Sequence, residues 1–127
     1  QQSLRAMETS HVTVTRVRDA ALDGVGRLRA ASDSLLQKLA SAPDRAMAVS
    51  VPFLKLCGLS IGGWLMARAA HVAANKLAQS SADREFLEAK IASAHFYTTQ
   101  VLPQALALEQ VVRDGSDAVV GTDAALI

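Results

Sequence analysis

Several residue types that mark common classes of protein are scarce in this chain. Cys57 is the only cysteine among 127 residues, which excludes an internal disulfide and a cysteine-cluster metal site and suits a reducing cytoplasm. Thirteen basic and twelve acidic side chains give a net charge of +1 without any basic block, so the electrostatic signature of a nucleic-acid-binding protein is missing. We therefore expect a cytoplasmic protein with no nucleic-acid partner.

Aromatic residues are also few, since the chain has three phenylalanines, one tryptophan and one tyrosine. The apolar half of the sequence leans on alanine and leucine, which favours closely packed helices over a β-sandwich. A chain of this length forms one ordinary domain. We predict a single all-α domain over 1–127, an antiparallel bundle of three long helices with a shorter N-terminal element, four-helix-bundle-like in character.

The first long helix is predicted over about 14–40, where apolar positions recur at helical spacing and charged residues fill the opposite side. Gly24 and Gly26 interrupt this pattern, and each costs helix stability of about 1 kcal/mol relative to alanine. Either the helix bends at these glycines or a neighbouring element comes close. The apolar positions are Val14, Val17, Ala21, Val25, Leu28, Leu35 and Leu39.

The second helix is predicted over about 42–79. Ser41 lies three residues before Asp44, so the two can form a reciprocal N-terminal cap. Pro43 falls in the first turn, where its missing N–H costs nothing. Pro52 lacks the N–H that would bond to the carbonyl four residues earlier, so we predict a kink or a short break just before it.

The third helix is predicted over about 83–113. Ser80 and Asp83 form a second candidate cap, and Glu85 lies near the positive end of the helix dipole. The apolar spacing of three and four persists through Pro103, which we therefore expect to kink this helix rather than end it.

The two ends of the chain are less regular. The first dozen residues are read either as an extra helical turn or two or as a frayed lead-in. They supply a fourth element of the bundle, unless a second copy of the chain closes it. Gly115 and Gly121 lie among small residues, so the tail over 114–127 is predicted to be a helix stop followed by a loose or partly docked segment.

A paired glycine precedes the only tryptophan, in the stretch GLSIGGWLMARAA that begins at Gly58. The uncharged run here is about twelve residues, against the roughly twenty that cross a membrane as a helix, so we expect no membrane span. Gly62 and Gly63 do not follow a strand or open a helix, as a phosphate-binding loop requires. We interpret them as a buried helix crossing filled further out by Trp64, whose indole N–H then needs a partner.

No constellation of reactive side chains is evident. His11, His71 and His95 are too scattered for a metal motif, and hydrogen bonds between packed helices are the expected role of the last two. Cys57 lies in an apolar run and is expected to be an inert, packed thiol. The glutamates of the third helix lie too far apart for an acid–base pair. We therefore assign no catalytic, cofactor-binding or metal-binding residue.

Two stretches resemble a known family. VPFLKLCGLSIGGWLMARAA over 51–70 and FLEAKIASAHFYTTQVLPQALAL over 86–108 are similar to the C-terminal helical domain of a bacterial branch of the acyl-CoA dehydrogenases. In that branch, Gly-Gly-Trp and a later Leu-Pro occur in the same order and spacing. The residues that carry the resemblance, with structural roles only, are Pro52, Gly62, Gly63, Trp64, Lys90, Phe96, Tyr97, Leu102 and Pro103.

The resemblance implies that the chain is a fragment of a larger FAD-dependent oxidoreductase of fatty acid metabolism. Such an enzyme removes a proton from the α carbon of an acyl-CoA and passes a hydride from the β carbon to the flavin. The glutamate base, the flavin contacts and most of the CoA site are implied to lie in preceding domains of the same polypeptide. This chain would then be an appended domain that covers the catalytic core, shapes the contacts of a homo-oligomer, or does both.

Two alternatives come from other classes of protein. A free-standing helical interaction protein, such as a phasin-like chain that coats granules, shares the alanine-rich amphipathic composition, although such chains usually lack a fixed Gly-Gly-Trp crossing. A helical enzyme complete in itself is disfavoured because the sequence offers no acid–base or metal constellation.

Overall fold

The fold is helical throughout the part of the chain that the structure, a computed structural model, describes: residues 1–7, 11–79 and 83–122 contain helices and turns but no strand. The all-α prediction is confirmed. The elements in chain order are α1 (Gln2–Arg5), α2 (Val12–Ser41), α3 (Pro43–Ala48), α4 (Ser50–Ala78), α5 (Arg84–Phe96), a π-helical turn (Tyr97–Val101), α6 (Gln104–Asp114) and α7 (Ser116–Val120).

The α2 helix runs through both of the glycines that interrupt its apolar pattern. Gly24 is buried, and a β carbon built there would lie 3.0 Å from Leu102 Cδ1. At Gly26, such an atom would meet nothing within 4 Å. Two explanations were open for these glycines. Close approach of a neighbour holds at Gly24, whereas no neighbour among the described residues explains Gly26.

A short break separates α3 from α4. α3 ends at Ala48, Val49 has φ −111° and ψ 10°, and α4 begins at Ser50. Pro52 consequently lies in the first turn of α4, where no earlier helical carbonyl needs its N–H. The predicted break before this proline is confirmed, and Pro43 opens α3 as expected.

The helix caps differ from those predicted. Ser41 is the last residue of α2, and its hydroxyl donates to the carbonyl of Gln37 at 2.9 Å, while Ala42 precedes α3 without a side-chain cap. The predicted cap by Ser41 is wrong, because α2 extends far enough to engage this hydroxyl itself. Ser80, the other predicted cap, lies outside the described residues. Glu85 does lie in the first turn of α5.

A widened turn joins α5 to α6. The amide N–H of Leu102 donates to the carbonyl of Tyr97, five residues earlier, at 2.9 Å. Pro103 cannot donate to the carbonyl of Thr99, so the π-helical turn ahead of it and a new helix after it carry the chain past the proline. The chain thus continues as helix on both sides of Pro103.

Both chain ends pack onto the other helices in their described parts. Leu4 and Met7 are buried in the same cluster as Val14 of α2. Near the other end, α7 packs against α3, where Arg45 and Asp117 form an ion pair at 3.2 Å. The N-terminal segment is therefore a further packed element, and the tail is docked through α7.

The core consists of two clusters of buried side chains. The first joins α1, the first half of α2, the second half of α4 and α5: its members are Leu4, Met7, Val14, Val17, Ala21, Ala67, Ala70, Ala73, Ala74, Leu87, Ile91 and Ala94. The second joins the later part of α2, the start of α4 and the segment around α6: its members are Ala31, Val49, Leu56, Leu102, Ala105 and Val112. Many of these residues are alanines, which allow helix axes to approach closely.

Candidate functional site

Three helical segments meet around Leu102, which is 4% exposed. Its side chain lies over two glycines, because a β carbon at Gly24 of α2 would lie 3.0 Å from Leu102 Cδ1 and one at Gly63 of α4 would lie 3.0 Å from Leu102 Cδ2. These glycines leave the space that the leucine fills. The hydroxyl of Ser60 donates to the Gly24 carbonyl at 3.0 Å in a buried position, which joins α2 to α4 at this crossing.

Tyr97 makes a second close contact with α4. Its hydroxyl donates to the carbonyl of Leu59 at 3.0 Å, and a β carbon at Gly62 would overlap this hydroxyl. Burial raises the pKa of Tyr97, so the hydroxyl remains a proton donor at neutral pH. Gly62 and Gly63 therefore accommodate two different side chains of the same segment, Tyr97 and Leu102.

Trp64 lies on the side of α4 that faces α1. Its indole N–H donates to Ser3 Oγ at 3.0 Å, and the guanidinium carbon of Arg68 lies 5.0 Å from its ring centre. The expectation that the indole finds a partner is confirmed. Of the predicted buried Gly-Gly-Trp crossing, Gly63 is buried, whereas Trp64 is only partly buried because it packs beside the short α1 rather than between long helices.

The other residues of the resemblance lie apart from this crossing. Pro52 is half-buried in the first turn of α4, whereas Lys90, Phe96 and Pro103 are exposed. The ammonium of Lys90 lies 5.1 Å from the ring centre of Phe86, a cation–π contact on the surface of α5. The structure thus brings together Gly62, Gly63, Tyr97 and Leu102 of the set.

The two central histidines do not make the predicted hydrogen bonds between helices. His71 Nε2 lies 3.1 Å from Asn75 Nδ2, one turn along the same helix. The Nδ1 atoms of His71 and His95 are buried without a hydrogen-bond partner in the described part of the chain. The prediction is wrong because a nearer partner on α4 serves His71. Cys57 is partly buried, and burial raises the pKa of its thiol, which agrees with the predicted inert cysteine.

A buried carboxylate links α2 to α6. Glu109 accepts hydrogen bonds from Arg27 at 2.9 Å and from Arg113 at 3.3 Å, and Arg27 also pairs with Asp23 at 2.7 Å. The hydrogen bond to Asp23 and then the one to Glu109 raise the pKa of Arg27 against the opposing effect of burial. The carboxylates of Asp23 and Glu109 are thus paired with guanidinium groups, and these ion pairs have a structural role. Sequence reasoning missed this network, although Glu109 falls at core spacing between Ala105 and Val112.

The described residues offer no evident place for a bound cofactor. Among residues 1–7, 11–79 and 83–122, no three His, Cys, Asp or Glu side chains are grouped to hold a metal ion. A groove of about 670 Å³ between α4 and α6, lined by Lys55, Leu59 and Leu108 among others, opens widely to solvent. A flavin needs an enclosing slot for its rings and several donors for its phosphates, and this groove does not fit it.

The α4 helix stands out by its hydropathy. By length and composition alone it is able to cross a membrane, with a mean hydropathy of 1.3 over its best 18-residue window, and 22% of that window is buried within the protein. Core helices of soluble proteins meet the same criterion. The exclusion of a membrane span thus stays a prediction.

Fold and site together define an all-helical domain held by close contacts at small residues, with its buried carboxylate paired to arginines. The chain belongs to the family described as acetyl-CoA dehydrogenase C-terminal like, whose model matches residues 3–123. The resemblance to acyl-CoA dehydrogenase C-terminal domains is confirmed.

A curated relative is 3-methylmercaptopropionyl-CoA dehydrogenase of Ruegeria pomeroyi, which is 41% identical over 85 residues. The aligned stretch covers 67% of this chain and 14% of that relative. The aligned stretch therefore spans only a small part of the length of that relative.

Proposed function

We propose that this chain is the C-terminal domain of an FAD-dependent acyl-CoA dehydrogenase that oxidises the α,β bond of an acyl-CoA thioester. The observation that carries this proposal is the family match over residues 3–123. The relative, whose name describes a CoA-thioester dehydrogenase, supports it.

The chemistry is assigned to the part of the polypeptide that precedes this domain. At the crossing around Leu102 and in the Arg27–Glu109 pair, the polar groups are bonded to other groups of this chain. The groove between α4 and α6 does not fit a flavin. FAD bound elsewhere in the polypeptide would supply the hydride acceptor. This domain supplies a packed helical unit that contacts the catalytic part, another subunit, or both, in a cytoplasmic homo-oligomer.

The proposed arrangement of the domain is an antiparallel bundle of three long segments: α2, α3 with α4, and α5 with α6. It is supported by the composition of the first core cluster, in which Val14 and Val17 near the start of α2 join Ala70 and Ala73 near the end of α4. The motif residues that carry the resemblance are proposed to stabilise this bundle. At its centre, the side chain of Leu102 packs between Gly24 and Gly63.

The experiment that tests the proposal is to sequence the native gene upstream of the codon for Gln1 and to purify the encoded protein. An open reading frame of several hundred further codons, encoding a protein that purifies yellow with bound flavin, supports the dehydrogenase. A start codon immediately before Gln1 contradicts it and favours the free-standing interaction protein, whose exposed apolar side chains on α4 would then bind an apolar particle.

A further inference from the structure

The α4 helix has two apolar sides of different character. Its buried side carries small residues, apart from Leu56: these are Ser60, Gly63, Ala67, Ala70, Ala73 and Ala74. Five of its large aliphatic residues lie instead on the exposed side, where they are between 50% and 71% exposed. We name this exposed set the α4 face, and its members are Val51, Leu54, Ile61, Leu65 and Val72.

The α4 face forms a continuous stripe along the helix. Its members are separated by three, four or seven residues, which places them within one side of a 3.6-residue helix. A helix that is apolar on all sides normally has neighbours on all sides. Soluble monomers seldom expose a contiguous apolar patch beyond a few hundred Å². Both arguments indicate that another surface covers the α4 face.

The charged residues of α4, and those that line the groove beside it, are all positive. The sequence of α4 contains Lys55, Arg68 and Lys76 and no acidic residue. Arg68 and Lys76 line a groove of about 350 Å³ between α4 and α5, together with Lys90 of α5. The apolar part of the same groove consists of Leu65, Ala69, Val72, Ala73, Phe86 and Leu87.

Two of these cations rest on aromatic rings. Arg68 lies over Trp64 and Lys90 lies over Phe86, at 5.0 and 5.1 Å from the ring centres. Such contacts hold the charges beside the apolar groove. The surface thus presents an apolar strip bordered by fixed cations.

We propose that the α4 face docks onto an apolar surface bordered by carboxylates in the preceding part of the same polypeptide. This inference rests on the proposed function, which supplies that preceding part. Charge complementarity requires an acidic partner surface. Two-fold pairing of the α4 face with a second copy would bring the lysines and arginines of both copies together, which is repulsive. The aligned stretch is only 14% of the relative, so a polypeptide of that kind has ample further chain to provide the covering surface.

Zero-length cross-linking of the full polypeptide tests the docking. A carbodiimide joins lysine amines to carboxylates in direct contact, and a denaturing gel separates links within one chain from links between chains. We expect peptides from the monomer band to join Lys76 or Lys90 to Asp or Glu residues upstream of Gln1. Links from these lysines found only in the dimer band would overturn the proposal in favour of a second copy. Links found only within residues 1–127 would overturn it as well.

A matched pair of substitutions tests the apolar part of the contact. Leu65→Asp places a charge on the α4 face, and Leu36→Asp places one at an exposed position of α2. In the full polypeptide, we expect Leu65→Asp to raise the rate of proteolysis within this domain about tenfold or more, because docking would bury a carboxylate in the apolar strip. Equal rates for the two variants would overturn the proposal.

A lipid surface is the remaining occupant to be tested. Flotation of the full wild-type polypeptide with vesicles of phosphatidylcholine and anionic phosphatidylglycerol, lost in Leu65→Asp and kept in Leu36→Asp, would overturn docking within the polypeptide. Absence of flotation, together with the expected cross-links, supports it. The visible absorbance of the same preparation reports bound flavin separately, so a flavin-free protein that still gives the cross-links would contradict the proposed function and not the docking.

Discussion

At the scale of single residues, Gly62 and Tyr97 form the most constrained contact of the domain. A β carbon at Gly62 would overlap the Tyr97 hydroxyl, which donates to the carbonyl of Leu59 at 3.0 Å. An alanine there displaces the ring and breaks this hydrogen bond, and the strain outweighs the gain in helix propensity. We expect Gly62→Ala to lower the free energy of unfolding by about 1–2 kcal/mol.

Gly58, one turn earlier on α4, provides the matched control. A β carbon at Gly58 would meet nothing within 4 Å, so Gly58→Ala should raise the free energy of unfolding by about 0.5–1 kcal/mol. Urea unfolding followed by circular dichroism measures both variants. A Gly62→Ala variant as stable as Gly58→Ala would contradict the contact with Tyr97.

The thiol of Cys57 gives a prediction about pH. Burial raises the pKa of Cys57, so at a given pH the folded chain holds a smaller fraction of reactive thiolate than the unfolded chain. The rate of alkylation by iodoacetamide should therefore reach half its maximum at a higher pH in the folded chain than in concentrated urea. Identical midpoints in the two states would contradict burial of the thiol.

At the scale of the elements, the short α1 depends on Leu4 for its attachment. Leu4 is fully buried, and its neighbour Ser3 accepts the hydrogen bond from the indole of Trp64. Leu4→Ala removes the anchoring side chain, which costs about 2–5 kcal/mol at a buried site and exceeds what a helix this short can recover. We expect α1 to detach and Trp64 to become more accessible.

Fluorescence of Trp64 measures this attachment, because it is the only tryptophan. Leu4→Ala should shift the emission to longer wavelength and increase quenching by acrylamide. The exposed neighbour Gln2 serves as a control, and Gln2→Ala should leave both unchanged. Unchanged fluorescence in Leu4→Ala would show that the contact of α1 with α4 does not shield the indole.

The helices were largely predictable from the sequence, since local signals determine them. The 3.6-residue period over 14–40 marks α2, and the fixed backbone of Pro52 places the break before α4. The π-helical turn was not predictable, because the period of three and four runs through Pro103 unchanged. The N-terminal cap by Ser41 was predicted wrongly, and so were the hydrogen bonds between helices of His71 and His95. Each of these depends on which polar group lies nearest in the folded chain, and a local sequence pattern does not show this.

For the candidate site, the sequence predicted which residue types take part but not which residues are in contact. Gly62 and Gly63 indicate a close approach, but the sequence does not say that Tyr97 and Leu102 are the groups that approach. The pairing of Glu109 with Arg27 joins residues 82 positions apart, beyond any local pattern. The exposure of Leu54 and Leu65 was not predictable either, because an apolar residue is normally expected to be buried.

At the scale of the whole molecule, the distribution of apolar side chains points beyond this chain. Apart from Leu56, the buried residues of α4 are alanine, glycine and serine, whereas five of its large aliphatic residues face outward. In the proposed docking, the α4 face is the surface that the rest of the polypeptide covers. The curated relative, of which the aligned stretch is 14%, has the further chain that such a contact needs.

The most direct test of the central claim is an anaerobic titration of the full polypeptide with acyl-CoA thioesters, beginning with 3-methylmercaptopropionyl-CoA. The account predicts that the purified protein carries flavin, and that an acyl-CoA substrate bleaches its visible absorption and yields one equivalent of the α,β-unsaturated thioester per flavin. A protein without flavin, or a flavin that no acyl-CoA across short, long and sulfur-containing chains reduces, would contradict it.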